Sequence, residues 1–111
     1  MNLTRLADAP IYEPPNHTGM HCLRLQGREA GPSDALWLGL SHLLPGGHTS
    51  LEASAVEKHY VVLHGAVTVI TDDGAVTLGV WDSCRLAPGE KRRLENRTNR
   101  PASILLAMPL G

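Results

Sequence analysis

From Met20 onward the chain alternates short apolar stretches with turn chemistry, and no stretch keeps a helical period for long. Met20 to Gln26 reads as a first strand, followed by a polar loop from Gly27 to Asp34. Leu36 to Leu44 reads as a second strand, stopped by Pro45, Gly46 and Gly47. A looser segment, His48 to Val56, leads into Tyr60 to Leu63, which ends at His64 and Gly65. Ala66 to Thr71 and Ala75 to Leu78 flank Asp72, Asp73 and Gly74, where Asp-Gly suits the positive φ of a hairpin turn. Ser83 to Leu86, Lys91 to Glu95 and Ala102 to Met108 complete the series. Strands at this regular spacing predict an all-β sandwich or barrel, not βαβ units. Residues 1–19, with Pro10, Pro14 and Pro15, read as an irregular arm ahead of one β domain at 20–111.

Composition agrees with that reading. Eleven Gly and eight Pro leave room for few long helices, and 111 residues suit a single core. With no Phe, two Trp and two Tyr, the core is expected to be aliphatic. Ten Lys and Arg against eleven Asp and Glu give a net charge of −1, which offers no field for nucleic acid or an anionic membrane. Apolar runs are far shorter than the ~18 residues of a spanning helix. Met1 to Pro10 has no apolar run of the kind a secretory signal carries. A cytoplasmic location is therefore expected, with Cys22 and Cys84 as reduced, buried, inert thiols.

The segment from Pro45 to Pro109 resembles the small single-domain cupins, the RmlC-like jelly rolls. The signals are PGGHTSLEASAVEKHYVVLHGAVTVITDDG and WDSCRLAPGEKRRLENRTNRPASILLAMP. Gly46 and Gly65 match the glycines of the first cupin motif, and Gly89 and Asn96 match two positions of the second. The resemblance implies a double-stranded β-helix barrel of two antiparallel sheets, and a homodimer. It also implies where a metal would sit. At those ligand positions this chain has Glu52, Ser54, Lys58 and Arg92, while Trp81 replaces the leading Gly of the second motif and Ala87 its Pro.

Charged Lys and Arg have no lone pair to give a metal. Strand alternation turns Lys58 inward with Tyr60 and Val62, and Arg92 inward with Leu94 and Asn96. Buried charges must be paired or must meet a ligand. Two readings stay open: a metal-free pocket for a small anion, or an internal salt bridge of Lys58, Arg92 and Glu52.

Three functions are carried forward. The first is a pocket without cofactor that binds or converts a small anionic metabolite. Lys58, Arg92 and Trp81 would hold it, with Tyr60 and Glu52 as proton carriers for isomerase- or lyase-type chemistry. The second is an unusual site for a divalent transition metal built from His48, Glu57, His59 and His64, which requires a one-residue slip in register. The third is a non-catalytic structural or regulatory dimer with its barrel packed shut. Trp37 is a further candidate for a pocket wall. His17 and His21 belong to the arm, as lid or surface groups, and His42 is expected in the core.

Overall fold

The computed structural model describes residues 1–110. Nine strands follow in order: β1 (Ile11–Tyr12), β2 (His17–Gln26), β3 (Leu36–Thr49), β4 (Lys58–His64), β5 (Val67–Thr71), β6 (Gly74–Leu78), β7 (Ser83–Leu86), β8 (Arg93–Glu95) and β9 (Ala102–Pro109). All pairings are antiparallel, in the path β6-β5-β8-β3-β9-β4-β7, with β2 also on β3 and β1 on β2. The sheet rolls into a nearly closed barrel, as the resemblance implied. Among the described residues no helix is long and apolar enough to cross a membrane.

The core is aliphatic because the inward phase of each strand is. Leu43, Val62, Val67, Ala102 and Ile104 are wholly buried, joined by Val69, Leu86 and Leu94. A smaller cluster of Ala9, Leu23 and Leu40 lies on the opposite phase, outside the barrel, where the arm packs down. His42 shares that outer phase and exchanges a 2.8 Å hydrogen bond with Ser103, so it is not a core histidine.

Two expectations about local structure change. Pro45-Gly46-Gly47 does not end the second strand; β3 continues to Thr49. Gly46, at φ +80°, bends it while Gly46 N–H donates to Asn96 O and Asn96 N–H donates to Gly47 O. The first half of β3 thereby pairs with β2 and β9, and its end pairs with β2 and β8. The arm is also less irregular than its prolines suggest. Ile11 and Tyr12 pair with Leu23 and Cys22, and His17 already belongs to β2.

The motif residues hold the corners. Gly65 has φ +73°, and a Cβ there would meet Pro101 O at 2.9 Å, so only Gly fits after β4. Asn96 is 1% exposed. Its Nδ2 donates to Leu43 O and Arg100 O, and its Oδ1 accepts from Thr98 N and Oγ1. One amide thus ties β3 to the turn between β8 and β9. Asn96→Ala would strand these partners and is expected to cost about 2–4 kcal/mol in urea unfolding. A loss below about 1 kcal/mol would show that the clasp is not structural.

Candidate functional site

The inward phase leaves a cavity of about 400 Å³ at one end of the barrel. Lys58 and Tyr60 enter it from β4, Arg92 and Leu94 from β8 and the bridge before it, and Leu106 and Met108 from β9. The barrel is therefore not packed shut, and the register slip required for the metal alternative does not occur. Tyr12 to Pro15 of the arm form one wall.

Arg92 is the unusual occupant. It is 6% exposed, yet among the described residues no carboxylate oxygen lies within 4.0 Å of it or of Lys58. The internal salt bridge is absent. Arg92 Nε donates to Tyr60 Oη at 3.0 Å, and Nη1 donates to Thr49 Oγ1 at 3.3 Å. Both partners are neutral oxygens, so the charge stays uncompensated. Its other N–H groups have no protein acceptor among the described residues.

Glu52 does not act as the missing counter-ion. Its backbone bridges to Arg92, but its exposed carboxylate accepts from Asn16 Nδ2 at 2.6 Å. It lies with Glu90 along a narrow cleft beside the cavity, shared by Lys58 and Arg92. Burial, then the charge of Arg92, lowers the Lys58 amine to about 8. Burial likewise raises the Tyr60 hydroxyl, which stays a proton donor.

The arm adds Tyr12, which sequence reasoning missed, and His17, expected as a lid or surface group, lines the cavity. His17 Nδ1 lies 2.7 Å from Pro15 O. A carbonyl only accepts, so Nδ1 carries the hydrogen and neutral His17 keeps its lone pair on Nε2. Burial first, and then Arg92 and Lys58, hold its pKa below the ordinary value. Arg24 lies 3.6 Å from the Tyr12 ring centroid and 4.1 Å from that of Trp37, with Nε on Glu29 at 3.0 Å. Tyr12 meets Trp37 edge to face at 5.8 Å. Arg24 was findable, because it shares the inward phase of β2 with Met20 and Cys22. His17 and Tyr12 carried no periodic signal.

Trp37 lines the cavity and Trp81 does not. Trp81 is 75% exposed, in the turn between β6 and β7, and its φ of +68° is left-handed. That is the backbone slot the second cupin motif fills with Gly. Trp81 N–H to Val62 O, at 2.7 Å, fixes the turn.

The four residues of the metal alternative do not converge. Glu57 and His59 face outward, where Glu57 accepts from Arg85 Nε at 2.6 Å and lies 3.0 Å from His59 Nε2. Among the described residues no three His, Cys, Asp or Glu are grouped to hold a metal ion. Nor does the donor set at the usual cupin positions fit one: Lys58 and Arg92 bring cations where imidazoles are needed. Cys22 and Cys84 are free; Cys22 is buried as expected but Cys84 is only half-buried, and burial raises both thiols.

No protein-family model matches the chain. A Mycobacterium tuberculosis protein named a beta-D-galactosidase is 44% identical over 108 residues, covering 97% of this chain and 93% of that protein. The solved polyketide cyclase RemF from Streptomyces resistomycificus superposes with a TM-score of 0.88 at 17% identity, over 100% of this chain and 80% of that one, which is a likeness of fold. A sugar phosphate isomerase of the cupin superfamily from Silicibacter pomeroyi gives 0.75 at 26% identity, over 84% of this chain and 60% of that one.

Lys58 has a pH signature. Its amine binds its proton less tightly folded than unfolded, so between about pH 8 and the ordinary lysine value near 10.4 the unfolded chain holds more protons. Stability contributed by this group therefore rises with pH across that window. The ligand-free Lys58→Met variant is expected to lose that rise in urea midpoints measured from pH 7 to 9.5. Equal slopes in variant and parent would refute the assignment.

Proposed function

We propose, from the premise that this chain is a small single-domain cupin and belongs to one family with the mycobacterial protein, that its barrel pocket binds and converts a small sugar bearing a negative charge, a phosphate or a carboxylate. The observation that carries this reading is Arg92, buried and charged with no carboxylate oxygen within 4.0 Å among the described residues. A ligand oxyanion supplies the missing counter-charge, and the planar guanidinium suits a bidentate pair with it. Lys58 stands as the second cation. Tyr12 and Trp37 offer apolar ring surface for the carbon side of a sugar, and Arg24 is held against them.

The chemistry fits isomerase- or lyase-type proton transfer at a carbon beside a carbonyl. His17 keeps an unprotonated nitrogen at neutral pH, while Tyr60 keeps its proton. A base and an acid in the same cavity are what such a step requires, and neither needs a bound cofactor. The names of the two sugar-active proteins support a carbohydrate as the substrate class.

A second reading is hydrolysis of a β-D-galactoside, favoured by the 44% identity to the mycobacterial protein. Glycoside hydrolysis ordinarily needs two carboxyl groups flanking the bond. Here Glu13 lines the cavity, and Glu52 and Glu90 lie in the adjoining cleft.

Calorimetric titration with sugar phosphates and sugar acids, beside assays with a chromogenic β-D-galactoside, separates the readings. Binding of an anionic sugar is expected, weakened on the order of thirtyfold or more by Arg92→Gln, since a buried charge pair loses one partner. Equal affinity in Arg92→Gln would overturn the anion reading. Turnover of the galactoside with no anionic sugar bound would replace it with the second.

A further inference from the structure

The cavity holds one amine with no partner. Among the described residues, Lys58 Nζ makes neither a hydrogen bond nor a salt bridge, although the side chain is half-buried and lines the cavity. A structural lysine in such a place would be expected to find a carboxylate. Here Asn16 binds the nearby Glu52 carboxylate. Arg92 already serves as the fixed anion anchor, and its guanidinium stays charged. The two cations are therefore not redundant. One is a permanent charge, and the other is a primary amine that can give up its proton.

We propose that Lys58 is a nucleophile that forms an imine with the carbonyl carbon of the ligand whose anionic group docks on Arg92. This rests on the anionic-sugar reading and names the chemistry of the same site. The free amine adds to the carbonyl carbon of an open-chain sugar. Both amine hydrogens leave with the carbonyl oxygen as water, and a C=N bond replaces C=O. No oxidant or reductant is consumed. Protonated, the imine draws electrons from the adjacent carbon, so a neutral base can take that carbon's proton. His17 Nε2 is the unprotonated nitrogen that the cavity offers. The imine thereby does what a Lewis-acid metal would do at the same carbonyl, using residues that cannot ligate one.

The surroundings keep the amine reactive. Burial first and then Arg92 disfavour its charge, Glu52 attracts it, and the pKa of His17 lies below the ordinary value. Glu90 is the other carboxylate along the cleft. With an ionisation at about 8, the unprotonated fraction at pH 8 is roughly a hundred times that of an ordinary lysine.

The chain has two lysines, Lys58 and exposed Lys91, so each molecule carries its own control. D-Erythrose 4-phosphate has a free aldehyde because its phosphate blocks ring closure. The protein is incubated with it and sodium cyanoborohydride at pH 8, and the reduced adduct is located by peptide mass spectrometry. Binding is followed in parallel by thermal shift without the reductant. The expected result is an adduct on Lys58 well in excess of Lys91, suppressed by inorganic phosphate. Lys58→Arg should still shift on binding but lose the adduct, with Lys58→Met as a second substitution should arginine not fit. Lys91→Arg should leave trapping unchanged. Binding with no preference for Lys58 would overturn the imine and leave the pocket reading standing. No binding by any sugar phosphate or sugar acid would overturn both.

Discussion

An arginine held inside a small aliphatic barrel constrains everything around it. The cost of taking a guanidinium out of water is several kcal/mol unless something replaces the lost hydration. Tyr60 and Thr49 supply two neutral oxygens, which orient Arg92 without neutralising it. The remaining donors must therefore face space that water or a ligand can fill. This explains why the barrel, otherwise packed with Leu, Val and Ile, keeps a cavity of about 400 Å³ on that side. The cavity gives room beside a charge that no carboxylate among the described residues pairs.

The same charge organises its neighbours. Burial first, and this charge after it, lowers the proton affinity of Lys58 and His17, so one group carries a labile proton and the other a lone pair. The Glu52 carboxylate does not pair with Arg92; Asn16 binds that carboxylate from the arm. The arm thus does two things at once. It walls the cavity with Tyr12 to Pro15, and its Asn16 holds the Glu52 carboxylate. Beside the arm wall Arg24 is treated differently: Glu29 pairs with it and the Tyr12 and Trp37 rings lie against it, so that cation is already satisfied. Among the described residues, Arg92 and Lys58 are left without a carboxylate within 4.0 Å.

How much of this the chain announces follows from which residues obey a local rule. Gly65 and Asn96 are forced by backbone geometry and buried amides, so a motif spaced along one chain finds them. Lys58, Tyr60 and Arg92 obey strand alternation, and their inward phase is readable for that reason. Tyr12 sits among prolines, where no period exists, and enters the site because the arm folds back across the barrel, while His17 lines the cavity from the first position of β2. Trp81 misleads for a related reason. The motif marks its position for backbone conformation, so a large side chain there points away while Trp37, on a regular strand, points in. Pro45-Gly47 shows the limit of breaker residues as stops. They bend β3 between its partners without ending it, because Asn96 carries the hydrogen bonds across the bend.

The choice between the two proposed ligands, a neutral and a charged sugar, turns on the same arginine. A galactoside offers hydroxyls, which can accept from a guanidinium but leave its charge in place; the desolvation cost stays with the complex. A phosphate or carboxylate removes that cost on docking, so part of the instability of the empty pocket becomes affinity for the right ligand. A metal at the usual cupin position would attract the same anion, but it would also activate the bound carbonyl or water. Arg92 attracts without activating. Some other group must then supply the electrophilic step, and the partnerless amine of Lys58, in the same cavity, is the side chain whose chemistry can do so.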